Sequence, residues 1–157
     1  MPDSENKDQF YYSSWLRYTL SEKLLIVTTK IRTIMDILIE DQRFFQENGE
    51  EPYIEISKIE KSVSEGRKIG KYLEGNGPCT IRDCCNRIIH ASTIHPNISY
   101  AKDAYDKLFS FNKNLKCWNG MLFLYGEKNG KNWKFELSVA DFCIVLESFL
   151  SKIETEI

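Results

Sequence analysis

The sequence predicts a mostly α-helical fold, a bundle of four to five helices that carries one β-hairpin at about 121–137. Three observations predict it. An apolar stripe of helical period runs from Ser14 to about Glu47 without a Gly or Pro. Three further stretches carry helix start or stop signals, and a single Asn-Gly turn lies between two alternating runs. At 157 residues the chain suffices for one core and is short for two. Residues 13–157 are therefore expected to form one domain, with residues 1–12 as a disordered or loosely attached polar tail.

In the first helix Leu20, Leu24, Val27, Ile31, Ile34 and Leu38 recur at spacings of four and three, which keeps them on one face of a 3.6-residue helix. Trp15, Leu16, Leu25, Met35, Ile39 and Phe45 widen that face, and Asn48-Gly49 stops the helix. So broad an apolar face exceeds what a small bundle covers, which points to a homodimer. Beyond the acidic loop Glu50-Glu51-Pro52, Ile59, Val63, Ile69, Tyr72 and Leu73 predict a second helix near Ser57 to Leu73, weakened by Gly66 and Gly70. Gly75-Asn76-Gly77-Pro78 is a break. A third helix starts at Thr80, whose hydroxyl and Asp83 three residues on read as a capping box, and ends by Ser92 because Pro96 disfavours helical geometry at His95. Residues 97–113 suggest a further short helix through Tyr100, Leu108 and Phe109.

Asn129-Gly130 is a strong hairpin signal. As a two-residue turn it sets Leu122 opposite Leu137, Leu124 opposite Phe135 and Gly126 opposite Trp133, an apolar face with Lys134 and Glu136 on the other side. The last helix opens at Ser138, with Asp141 in its first turn, and continues through Phe142, Val145, Leu146, Phe149 and Ile153.

Composition bounds the function. Hydrophobic residues make up 42% and charged residues 28% of the chain, as in an average globular protein, and the net charge is −2. A disordered tail, a collagen-like fibre and a disulfide mini-protein are excluded, and a protein living mainly on phosphate contacts is usually far more basic. Residues 58–90 and 101–137 each hold seven basic and four acidic side chains, net +3, so some positive charge is segregated. The acidic, polar start resembles no secretory signal, no run of apolar residues is long enough to span a membrane, and five cysteines including vicinal Cys84-Cys85 suit a reducing compartment. The expected location is the cytoplasm. The cysteine and histidine spacings fit no common zinc motif, and no metal or cofactor is expected.

One short stretch has chemical content: Thr80-Ile81-Arg82-Asp83-Cys84-Cys85-Asn86-Arg87-Ile88-Ile89-His90-Ala91. Arg82, Asn86 and His90 are four apart and form a polar stripe up one side of a helix. Asn has poor helix propensity, so its place beside two isoleucines suggests that its side chain is used. The stretch resembles the HEPN family, small helical-bundle proteins that generally dimerise and often act as metal-independent ribonucleases. Asn86 and His90 match the Asn-x-x-x-His half of the family's signature, while Cys85 stands where the family carries Arg. In that family Arg holds the scissile phosphate and His moves protons, a division consistent with a bidentate guanidinium and an imidazole that titrates near neutrality.

The resemblance implies an RNA-directed protein that binds or cleaves RNA by metal-independent acid/base chemistry at a dimer cleft. His90, Asn86 and Arg82 are the catalytic candidates, and Arg87 and Asp83 the substrate-binding ones. The competing reading is an inactive HEPN-like dimerisation or partner-binding module, in which Arg82 pairs with Asp83 or with the acidic 48–57 segment. A small-ligand pocket on the same stripe is a third. Tyr125, Trp118 and Trp133 are aromatic enough to stack on bases, though packing is their commoner use.

Overall fold

The computed structural model describes residues 4–51, 54–100 and 116–156. Within them lie four helices, α1 (Ser4–Glu47), α2 (Ile56–Ser64), α3 (Ile81–Ile89) and α4 (Val139–Glu156), and four strands, β1 (Gly70–Glu74), β2 (Thr93–Tyr100), β3 (Lys116–Lys128) and β4 (Lys131–Ser138). The strands form one antiparallel sheet in the order β1-β4-β3-β2. The fold is therefore mixed α/β, which corrects the expected helical bundle with a single hairpin.

The hairpin itself has the predicted register: Leu122 pairs with Leu137, Leu124 with Phe135 and Gly126 with Trp133. Asn129 and Gly130 both have positive φ, as a tight hairpin turn of this kind requires. What the helical reading lacked are the two outer strands. Gly66, at φ 73°, follows α2 closely, so the second helix stops at Ser64 instead of running to Leu73. The chain then extends, and Gly70 pairs with Leu137 where the Phe135 ring lies so close that a Cβ would collide with it. On the other side, β2 contains Pro96, which an edge strand tolerates because one side of it needs no ladder bond. The pairing of β2 with β3 shifts register between Pro96 and Ile98. The short helix expected within 97–113 gives way to β2 as far as Tyr100, and the rest of it lies outside the described residues.

One face of the sheet is the floor of the core. Leu122, Leu124, Phe135 and Leu137 are fully buried there, and Trp133 nearly so. Ile31 and Met35 of α1, Ile56, Ile59 and Val63 of α2, Ile81, Cys84, Cys85 and Ile88 of α3, and Phe142, Val145 and Phe149 of α4 belong to the same cluster. The helices thus cover this face and leave the other to Thr93, His95, Phe123, Tyr125, Lys134, Glu136 and Lys71, by the alternation of strand side chains. α4 begins as expected, with Ser138 Oγ 2.7 Å from Asp141 Oδ2.

α1 has 44 residues and is about 66 Å long at 1.5 Å per residue. It takes up most of the segment expected as a tail, since it starts at Ser4. Its apolar residues divide into two faces. Leu16, Leu24, Ile31 and Met35 are buried, whereas Tyr11 is 68%, Trp15 62% and Tyr18 71% exposed. From Phe10 to Trp15 no residue is buried.

Candidate functional site

The polar stripe lies on α3, and the start of that helix is fixed by a reciprocal cap. Thr80 Oγ1 accepts the Asp83 N–H at 3.2 Å, and Asp83 Oδ2 accepts from the Thr80 N–H at 3.3 Å and from its hydroxyl at 2.6 Å. Asp83, a substrate-binding candidate, is thus committed to holding the helix start.

Ile81, Cys84, Cys85 and Ile88 point into the core. Cys85, at the position where the resemblance places arginine, is wholly buried, and that burial pushes its thiol up to about 12. A guanidinium at this position would enter the core and lose its water.

Arg82 lies at the border between α3 and α1. Its Nη2 donates to Asp36 Oδ1 at 2.7 Å, and Asp36 Oδ2 is 3.4 Å from Arg32 Nη2. Its backbone N–H donates to Glu60 Oε1 of α2 at 3.2 Å. Burial raises the Glu60 carboxyl above the usual carboxylate range, and the bond from Arg82 pulls it back. The partner of Arg82 is therefore Asp36, not Asp83 or the acidic 48–57 segment. One carboxylate shared by two guanidiniums ties α1 to α3 and offsets the charge a phosphate would need.

Arg87 leans the other way. Its guanidinium carbon is 4.7 Å from the centre of the Trp133 ring and 5.5 Å from that of Tyr72. Its Nε is buried without a hydrogen-bond partner among the described residues. Desolvation pushes the Tyr72 phenol up, and the Arg87 charge opposes that push. Five residues apart, Arg82 and Arg87 project about 140° from one another, and each is occupied by its own flank.

Between them stand Asn86, half-buried, and His90, exposed. His90 is the C-cap of α3, and its backbone N–H reaches the carbonyls of Asn86 and Ile88. The structure thus keeps Asn86 and His90 one turn apart on the accessible side of α3, with both arginines beside them and neither turned onto them. Among the described residues no group of three or more His, Cys, Asp or Glu side chains is placed to hold a metal ion, and the five cysteines are free.

The partners Asp36, Glu60, Tyr72 and Trp133 escape the sequence because each lies outside the motif by many residues. Of the aromatic residues singled out, Trp133 is buried, Trp118 donates its Nε1–H to the Met121 carbonyl at 2.7 Å, and Tyr125 stands half-buried on the face of the sheet opposite the core. Among the described residues no helix is long and apolar enough to cross a membrane. Comparison with protein-family models, with curated proteins and with solved structures gives no match to this chain.

Proposed function

We propose that this protein is a non-catalytic interaction module that pairs with a second copy of itself through α1. The observation that carries the reading is the second apolar face of that helix. At 100° per residue Tyr11, Trp15, Tyr18, Leu25, Ile26, Ile37 and Phe44 fall within about 120° of arc, nearly opposite the stripe that enters the core. All seven are exposed. Glu22, Thr29, Thr33, Asp36 and Glu40 interrupt the set within the same arc, yet seven exposed large apolar side chains on one side of a helix are the mark of an interface.

A second copy is the occupant that fits best. At roughly 100 Å² for each of these side chains, the stripe offers on the order of 700 Å² per protomer, close to the roughly 800 Å² per partner of a stable interface. The turns before Leu16, where no residue from Phe10 on is buried, also gain most from a partner, since a helix with little tertiary packing is marginal in water. The test is analytical ultracentrifugation from nanomolar to high micromolar protein. A concentration-dependent dimer is expected, and a triple variant Tyr11→Ser, Trp15→Ser, Tyr18→Ser should be monomeric with an unchanged circular dichroism spectrum. A monomeric wild type at the highest concentration would refute the proposal.

A second reading, RNA binding or metal-independent RNA cleavage of the HEPN-like kind, is favoured by one observation, the accessible Asn86 and His90 pair on α3. Against cleavage stand the buried Cys85 and the engagement of Arg82 by Asp36. Incubation with total RNA in the presence of a chelator, compared with His90→Ala, separates the two. Cleavage that the variant abolishes would establish the enzyme, and equal background in both proteins would leave the interaction module.

A further inference from the structure

We propose that the face of the sheet opposite the core, around the half-buried rings of Phe123 and Tyr125, is a stacking site for single-stranded nucleic acid. The site goes beyond the pairing of α1 and uses none of the α3 stripe. The strand register places Thr93 beside Tyr125, His95 beside Phe123, Lys134 beside Tyr125 and Glu136 beside both Phe123 and Lys71, all on the face opposite the core. Phe123 and Tyr125 are two residues apart on β3, so their rings are spaced by roughly 7 Å along the strand. The His95 ring meets Tyr125 edge-on, 5.7 Å between centroids and 80° between planes. Two rings along β3 with a third beside them on β2 give successive bases a sequence-tolerant surface to stack on.

Charge identifies the occupant. The one acidic side chain within this group, Glu136, is paired with Lys71 at 2.9 Å. Among the described residues Lys134 has no such anion; its Nζ is 4.8 Å from the centre of the Phe123 ring and 5.1 Å from that of Tyr125. Partial burial, and after it the charge of Arg17 on α1, lowers the pKa of His95 and so favours the neutral ring. An ammonium resting on two rings is a loosely held cover, because an exposed cation–π contact is weaker than the stacking of one base. When a base takes its place, the flexible lysine swings aside and meets the phosphate that arrives with it. An apolar partner would leave the Lys134 ammonium unanswered, and a polyanion finds both rings and a cation.

The experiment is fluorescence anisotropy of labelled oligouridylate and oligodeoxythymidylate, titrated with the full chain at low salt. Binding of at least one is expected. Phe123→Ala and Tyr125→Ala should each weaken it roughly 5- to 150-fold, the range set by loss of one stacked base. Tyr125→Phe, which keeps the ring, should bind as the wild type does and guards against a folding artefact. Lys134→Gln should lower both affinity and the steepness of its salt dependence. Preference for the ribo- or the deoxyribo-oligomer tells which nucleic acid is the ligand. No binding of either, affinity untouched by loss of either ring, or ring variants that change the sedimentation of the protein alone would overturn the proposal. His90→Ala serves as the control that leaves this surface intact, and the α1 triple variant tests pairing separately.

Discussion

The two faces of α1 carry much the same kind of residue and have opposite fates. Leu24, Ile31 and Met35 are buried against α3 and the sheet, while Tyr11, Trp15, Tyr18 and Leu25 face outward from the same helix. Hydrophobicity alone therefore does not say which side of a helix enters the core. What decides it is the supply of complementary surface, and a domain with one sheet face to cover can bury only one side of so long a helix. The inner face stabilises the chain itself, and the outer face stays exposed, available to the second copy proposed above.

Substitutions on the two faces should separate these roles. The largest effect belongs to Met35→Ala, which empties fully buried space and should lower stability by about 2–5 kcal/mol, read as a fall in the urea midpoint at unchanged m-value. The Tyr11, Trp15 and Tyr18 triple variant should show no such fall at protein concentrations where the wild type is monomeric. Equal losses on both faces would erase the distinction.

A smaller effect is expected at the margin between them, where Asp36 meets Arg82. The side chains are 48% and 35% exposed, so solvent screens the pair, and a double-mutant cycle with Asp36→Asn and Arg82→Gln should give a coupling of at most about 1 kcal/mol. A coupling several times larger would mean that the ion pair, more than the apolar seam, holds α1 on α3.

The smallest concerns Arg17 and His95. The fold lowers the pKa of His95 from its ordinary 6.5, first by partial burial and then by Arg17, so the folded chain binds fewer protons than the unfolded one just below that value. Stability is therefore full above about pH 6.5, falls as the pH drops below it and levels off beneath the folded pKa. Arg17→Ala should recover part of the shift, seen as a higher midpoint for the His95 ring protons in an NMR titration. An unmoved midpoint would show that α1 and β2 do not communicate there.

Local signals were the legible ones. The Asn129-Gly130 turn and its strand alternation yield the register of β3 and β4, and Thr80 with Asp83 yields the start of α3, because turn and cap chemistry act within a few residues. β1 and β2 were not legible. Ile69, Tyr72 and Leu73 have a spacing that a helix also satisfies, and Pro96 reads as a breaker until it is known to sit on a sheet edge. Both become strands through pairing with β4 and β3, whose residues lie tens of positions away in the chain. The candidate site divides similarly. That Asn86 and His90 share a side of α3 follows from helical arithmetic. That Arg82 belongs to Asp36 and Arg87 to Trp133 and Tyr72 follows only from tertiary packing.

The adjacent thiols of Cys84 and Cys85 are sealed in the interior, and desolvation drives both far above the range in which a thiolate forms at neutral pH. Alkylating reagents and peroxide attack thiolates, so these sulfurs are silent for as long as α3 stays seated, whereas Cys143 on the surface of α4 is within reach of reagents throughout. The chain thereby carries its own clock: the pace at which the hidden pair becomes modified, set against Cys143, records how often the motif helix lifts away from the domain.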